Sequence, residues 1–250
     1  MQVTAYKTHK IVTGDILFKI LDTYLPKLEE KSIVAVTSKI VAICEGRIIK
    51  AEKKEEKDKL AAEEADYYLP REFNQYGFMI TINHGIIVAS AGIDESNGNG
   101  YFVLWPKDPQ QSANTIREYL AKKFHLTHIG VIITDSRLSP LRWGVTGVAI
   151  AHSGFQMLNS YIGKPDIFGR KMHAEKSNIA DSLATAAVAE MGEGDEQQPL
   201  AVITDVGFVH FQKRNPTQEE LDAAKIKLED DVFASFLKAM KWKKGKKLIK

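Results

Sequence analysis

Apolar positions along this chain alternate between two spacings, and the switches mark its elements. After a short strand-like run, Val3–Tyr6, Gly14-Asp15 opens a segment in which Ile16, Leu17, Ile20, Leu21, Tyr24, Leu25 and Leu28 recur with helical period, predicting a helix with one core-facing side. Ile33–Val36 is a continuous apolar, β-branched run ending in Thr37-Ser38-Lys39, which predicts a buried strand feeding a tight turn of a size suited to phosphate. Ala51–Tyr68, with Glu52, Glu55, Glu56, Glu63 and Glu64 among lysines, reads as a solvated helix. Phe78–Ile82 and Ile86–Ala89 flank Asn83-His84-Gly85, residues that tolerate positive φ, and predict a β-hairpin. Ser112–Phe124 reads as an amphipathic helix capped by Ser112, and His128–Asp135 as a buried strand ending in Thr134-Asp135. Arg137–Gly169 is rich in glycine and shows helical period only at Phe155–Tyr161. Asn178–Met191 predicts a small-residue helix stopped by Gly192, Leu200–Thr204 a strand, and Thr217–Met240 a terminal helix. Strands alternate with helices but hairpins intervene, so the expected class is α+β (mixed α/β) with mixed sheets, not a Rossmann winding.

Composition narrows the picture. The 250 residues are 44% hydrophobic and 26% charged, which suits one folded domain over 1–250 with no need of disulfides or a structural metal. Lys plus Arg 34 against Asp plus Glu 32 leaves +2, too balanced to favour nucleic acid or a membrane surface as the main partner. No apolar run reaches the length of a membrane helix, and the single cysteine, Cys44, has no internal partner. A cytoplasmic protein is expected, with Cys44 a buried, inert thiol. The C-terminal lysines, Lys238, Lys241, Lys243, Lys244, Lys246, Lys247 and Lys250, read as a solvated tail.

Three acidic clusters lie in predicted glycine-rich turns: Asp94-Glu95-Ser96-Asn97-Gly98, Asp135-Ser136 and Gly192-Glu193-Gly194-Asp195. Carboxylates on turns suit Mg²⁺ or Mn²⁺, which accept one or two of them alongside substrate phosphate and water. Asx-turns account for the same residues equally well at Asp94, and better at Asp135 and Glu193. A calcium loop is excluded, since its twelfth position falls on Trp105. The chain carries no Walker A sequence and no Gly-x-Gly-x-x-Gly, and its histidines lack zinc spacing. Ser38-Lys39 and the Met191–Gln198 turn are candidate phosphate or base contacts, and Arg137, Arg142, Lys164, Arg170 and Lys171 are candidates for an anionic substrate.

In order and spacing, Ala91-Gly92-Ile93-Asp94-Glu95-Ser96-Asn97, Val131–Ser136, Arg142–Ile150, Tyr161–Arg170 and Ala180-Asp181 with Met191-Gly192-Glu193-Gly194 resemble the coenzyme F-420-0 gamma-glutamyl ligase family. Gly14-Asp15 and Glu45-Gly46-Arg47 extend the likeness, so it covers about residues 3–205 and leaves the 217–250 tail outside. Ile43 stands where the family carries a lysine, and Ser136–Pro140 departs from the family's run after Thr-Asp.

The resemblance implies a gamma-glutamyl ligase-like fold, a homodimer, and an enzyme that uses GTP and divalent metal, Mn²⁺ or Mg²⁺ with K⁺, to join L-glutamate to the terminal carboxylate of a deazaflavin precursor. It implies that Asp94 and Asp135 are the catalytic acids and hold one metal, with Ser136 and Glu193 on a second. Nucleotide contacts carried over are Ser38, Lys39, Asn97, Met191, Gly192 and Gly194, with Thr8–Ile11 completing that pocket. Arg142 and Arg170 remain the expected substrate contacts. Two other readings stand beside it: the same chemistry on another acceptor such as folate, and a non-catalytic nucleotide-binding homologue.

Overall fold

The computed structural model describes residues 1–246, including every side chain but those of Lys54 and Glu55; Lys247 and Lys250 of the lysine tail lie outside the described residues. In chain order the elements are β1 (Gln2–Tyr6), α1 (Leu17–Tyr24), β2 (Ile33–Thr37), α2 (Ser38–Cys44), β3 (Ile48–Lys50), α3 (Lys54–Glu64), β4 (Tyr67–Leu69), β5 (Ile80–Asn83), β6 (Ile86–Ala89) and β7 (Tyr101–Val103). The second half contributes α4 (Pro109–Phe124), β8 (Gly130–Leu138), β9 (Val145–Ser153), β10 (Leu158–Ser160), β11 (Lys176–Asn178), α5 (Ile179–Met191), β12 (Leu200–Thr204), α6 (Gln218–Ala223), α7 (Ala234–Ala239) and β13 (Lys243–Lys244).

The main sheet has the order β1-β12-β2-β8-β9, with β2 and β8 parallel and every other pair antiparallel. Its strands are apolar on both faces because both are covered. Val34, Val36, Val131 and Ile133 point to α1, α2 and α4, while Ile33, Ala35 and Ile132 point to α5. The small residues of α5 let it lie close: a Cβ on Gly147 of β9 would fall 2.4 Å from the Ala184 carbonyl oxygen. A second sheet, β13-β4-β5-β6, packs with α3 around Ala61, Ala65, Met79, Ile93 and Phe102. The β5–β6 turn is the expected hairpin, with His84 and Gly85 at φ 52 and 78 as a two-residue primed turn needs. The class is α+β with mixed sheets.

Several boundaries differ from the sequence reading, each for a local reason. α1 stops at Tyr24 because Pro26 holds Leu25 extended, although Leu25 and Leu28 stay buried. No turn separates β2 from α2, since Ser38 begins the helix directly. α4 starts at Pro109 with Asp108 as its cap, the Asp108 carboxylate accepting from the Gln111 N–H at 2.9 Å; Ser112 instead donates to Glu45 at 2.6 Å. The charged helix ends at Glu64, and Tyr67–Leu69 joins the second sheet. Phe155–Tyr161 is not helical: Phe155 bridges to Phe211, and β10 pairs with β11. The predicted terminal helix is two short ones, because the Asp231 carboxylate takes the Phe233 N–H at 2.8 Å and turns the chain between them.

The segment after β12 runs back along the main sheet before crossing to the smaller one. Gln156 donates to the His210 carbonyl and Gln212 to that of Gly154, at 2.9 and 2.8 Å. Asn215 is a hub: its carbonyl oxygen accepts from buried Arg117 at 2.6 Å and from Ser153 at 3.0 Å, and its amide donates to Glu118 at 2.6 Å. β13 then pairs with β4, where Gly245 lies so near Ala65 that a Cβ would sit 1.9 Å from its oxygen.

Candidate active site

β2 ends at Thr37, but its parallel neighbour β8 runs on to Leu138 and forms a hairpin stalk with β9. The notch between them opens into a cavity of about 940 Å³, walled by the stalk, the start of α2, the Asp94 loop, Thr8–Val12 and the Met191–Pro199 loop. A crevice where strand ends diverge is where open α/β sheets place their ligands.

The sequence pattern puts Asp135 in a turn, yet it lies inside β8, paired with Val148. Its carboxylate accepts the Ser136 N–H at 2.8 Å and the indole N–H of Trp105. Burial pushes its carboxyl up to about 6, against those hydrogen bonds, and the nearby Asp94 charge adds to the rise. Ser136 donates to the Glu193 carboxylate at 2.5 Å, tying β8 to the loop after α5.

Asp94 reaches the cavity through unusual backbone. Ser90, Ala91 and Gly92 all have positive φ, 48, 57 and 78, a costly arrangement for the two with side chains. Buried Thr81 and Asn83 fasten it: the Thr81 hydroxyl accepts from Ala91 N–H at 2.8 Å, and the Asn83 amide donates to the Ala91 carbonyl at 2.9 Å. Gly92 is required twice over, because a Cβ there would fall 2.1 Å from the Trp105 indole nitrogen. Lys39, in the first turn of α2, holds Asp94 at 2.6 Å and donates to the Ser96 carbonyl at 3.0 Å. Burial works to raise the Asp94 pKa, but the charge and hydrogen bond of Lys39, with help from Ser96, hold it below its usual value. The Lys39 charge also acts on Asp135, so one ammonium serves two carboxylates from different elements.

Asn97 donates to the Gly194 carbonyl at 2.9 Å and closes the ring between the Asp94 loop and the Met191–Pro199 loop. Gly192 and Gly194 leave room for Glu196, whose carboxylate takes the Gly194 N–H at 2.8 Å. Ser38, Lys39, Asp94, Asn97, Asp135, Ser136, Met191, Gly192, Glu193 and Gly194 thus all line one cavity. Arg142 and Arg170 do not. Arg142 lies at the exposed tip between β8 and β9, and Arg170 turns back toward Asp166 in an exposed excursion, its backbone N–H donating to that carboxylate at 2.9 Å. Neither was reachable from the cavity by sequence spacing, which measures only neighbourhood along the chain.

Trp105 escaped the sequence reading, since a lone tryptophan before a proline carries no spacing signal. Glu45-Gly46-Arg47 proves to be scaffolding for it. Glu45 accepts from Lys107 N–H at 3.0 Å, and Arg47 donates to the Trp105 carbonyl at 3.2 Å while pairing with Glu64 at 2.6 Å. Ile43, in place of the lysine, is 8% exposed and packs with Ala42 and Val103. Cys44, expected to be buried, is half-buried at the edge of the main core, and desolvation pushes its thiol up to about 11. Among the described residues no three His, Cys, Asp or Glu side chains converge as ready metal ligands, and no helix is long and apolar enough to cross a membrane.

Residues 6–205 match the family model described as F420-0:Gamma-glutamyl ligase. The coenzyme F420:L-glutamate ligase of Methanococcus maripaludis strain S2 is 35% identical over 231 residues, covering 87% of this chain and 90% of the relative. That of Methanopyrus kandleri is 33% identical over 208 residues, covering 77% and 82%. With the cavity and its acids lying inside the matched region, the chain belongs to the F420-0:gamma-glutamyl ligase family of amide-bond-forming ligases.

Proposed function

We propose that this chain joins L-glutamate through an amide bond to the terminal carboxylate of a deazaflavin coenzyme F420 precursor, consuming GTP with a divalent metal, Mn²⁺ or Mg²⁺, and K⁺. The observation that carries the reading is the placement of Asp135 and of Asp94, the latter held by Lys39, on the wall of one large cavity. A carboxylate is a poor acyl donor at neutral pH. Its oxygen attacks the γ-phosphorus of GTP, the bond to the β-phosphate oxygen breaks, and GDP leaves with that electron pair. The glutamate amine then attacks the acyl carbon, phosphate departs, and the amine's proton is lost.

The cavity wall offers hard oxygens in the carboxylates of Asp94, Asp135 and Glu193 and the hydroxyl of Ser136, of which a metal would take one or two carboxylates rather than all three. That set suits Mg²⁺ or Mn²⁺, which take one or two carboxylates and fill their remaining positions with phosphate oxygens and water. Bound there, the metal supplies charge neutralisation during phosphoryl transfer. Lys39 sits beside the same acids to meet phosphate charge, and Asn97 with the Gly192–Gln198 main chain offers the polar groups that a nucleotide needs. Ile167 and Phe168 are 91% and 89% exposed, and Leu141 and Trp143 are comparably bare, which supports burial against a second copy in a homodimer.

Phosphate release measured with GTP, Mn²⁺, L-glutamate and the glutamate-free precursor F420-0 tests the reading. Release requiring all four, with a product one glutamate heavier, is expected. Release with a folate in place of F420-0 replaces the acceptor, and nucleotide binding without any release replaces the enzyme with a binding homologue. Sedimentation of wild type against Phe168→Asp tests the dimer.

A further inference from the structure

The cavity has two chemically different ends, with Asp135 and Ser136 between them. One end is bounded by Thr8, Ser38, Lys39, Asn97 and the main chain of the Gly192–Gln198 loop. The other is bounded by Phe78, Val88, Leu138, Val145 and Val188, none with a polar side-chain atom. Phe78, Leu138 and Val145 are 51%, 50% and 45% exposed, although they stand within a concave wall. Leu138 and Val145 are cross-strand partners on the β8–β9 stalk, so they form one patch, and Phe78 faces the same space from the approach to β5. Beyond them Tyr76 and Trp143 meet edge to face, ring centroids 5.7 Å apart, joining the two walls.

Apolar side chains left bare inside a cavity that also holds converging polar groups mark a surface that a ligand covers. A purine base is a poor occupant, because its edge donors and acceptors would go unpaired there, whereas the polar end offers amides and carboxamides. At about 940 Å³ the cavity lies near the upper end of ordinary small-molecule sites, leaving space beyond a nucleotide.

We infer that the apolar end receives the planar ring system of the acceptor, laid against Leu138, Val145 and Phe78, with the acidic tail running back along β8 to Asp135 and Asp94. This rests on the ligase reading above. Leu138 is two residues beyond Ser136 on the same face of β8, about 7 Å at the strand rise, so the ring and the reacting carboxylate lie on opposite ends of one tail.

The test is binding, not turnover. F420-0 is titrated into the full chain with GDP and Mn²⁺ present and followed by the fluorescence of its chromophore. Leu138→Ser and Phe78→Ser, on different elements and at half-exposed positions, are each expected to weaken F420-0 binding tenfold or more and to leave the thermal shift from GTP and Mn²⁺ unchanged. F420-0 affinity equal to wild type in both variants overturns the ring site. A wild-type chain that binds F420-0 in this Leu138-dependent way but forms no glutamyl product overturns the ligase reading and leaves the ring site standing.

Discussion

The indole N–H of Trp105 donates to the Asp135 carboxylate from a residue only 3% exposed, and the bare Cα of Gly92 is what allows the ring to lie there. Asp135 therefore depends on a partner thirty positions away in sequence. On the metal site proposed above, a partner of this kind would orient a ligating carboxylate, and its loss typically costs about 10–100-fold in metal affinity or activity. Trp105→Phe is expected to keep a cooperative melt and to weaken Mn²⁺ binding about tenfold by calorimetric titration. Gly92→Ala, which forces the indole away, is expected to reproduce that loss with a lower melting temperature.

Lys39 bridges the Asp94 carboxylate and the Ser96 carbonyl from the first turn of α2. Lys39→Met removes the ammonium and leaves Asp94 and Asp135 with uncompensated repulsion. On the ligase reading, kcat is expected to fall about 10²–10³-fold, the usual effect of deleting a group aimed at transferring charge. Steady-state phosphate release, with circular dichroism as the folding control, reads this out.

Asn215 satisfies Arg117, a guanidinium 8% exposed, and reaches both Ser153 and Glu118. Asn215→Ala leaves the Arg117 Nε–H without its partner. Chemical denaturation is expected to show a loss of about 2 kcal/mol, in the range for a buried donor left unpaired, with GTP-dependent thermal shifts preserved.

His152 is buried against Phe155, rings 5.3 Å apart, and burial holds its imidazole down to about 4 from the ordinary 6.5, against the pull of Glu220. The unfolded chain thus takes up a proton at a pH where the folded one does not. The stability tied to a neutral His152 is complete above about pH 6.5 and is lost as pH falls toward 4. Melting temperature is expected to drop between pH 7 and pH 5 in wild type, and to drop less in His152→Gln.

The parts of this molecule that announce themselves in the sequence are those governed by neighbours along the chain. Leu200–Thr204 and the His84-Gly85 hairpin arise from local period and turn chemistry, and both stand as expected. Asp94, Asn97, Asp135, Ser136 and Glu193 are gathered by their ordered motifs, and the cavity does unite them. Trp105, the Thr81 and Asn83 supports and the apolar wall at Leu138 depend on which distant elements pack together, which no single-chain spacing encodes. The two arginines show the converse: charge in a glycine-rich stretch suggests a ligand, but the fold leaves Arg142 and Arg170 exposed and off the lining of this cavity.

The segment beyond the family match is fastened at both ends, by Asn215 to α4 and β9 and by β13 to β4. The cavity lies between the two bodies that it joins. The segment links the main sheet to the smaller one without contributing a wall to the cavity. Asn215 and Gly245 thus help set how the two sheets that wall the cavity are placed, although neither residue lines it.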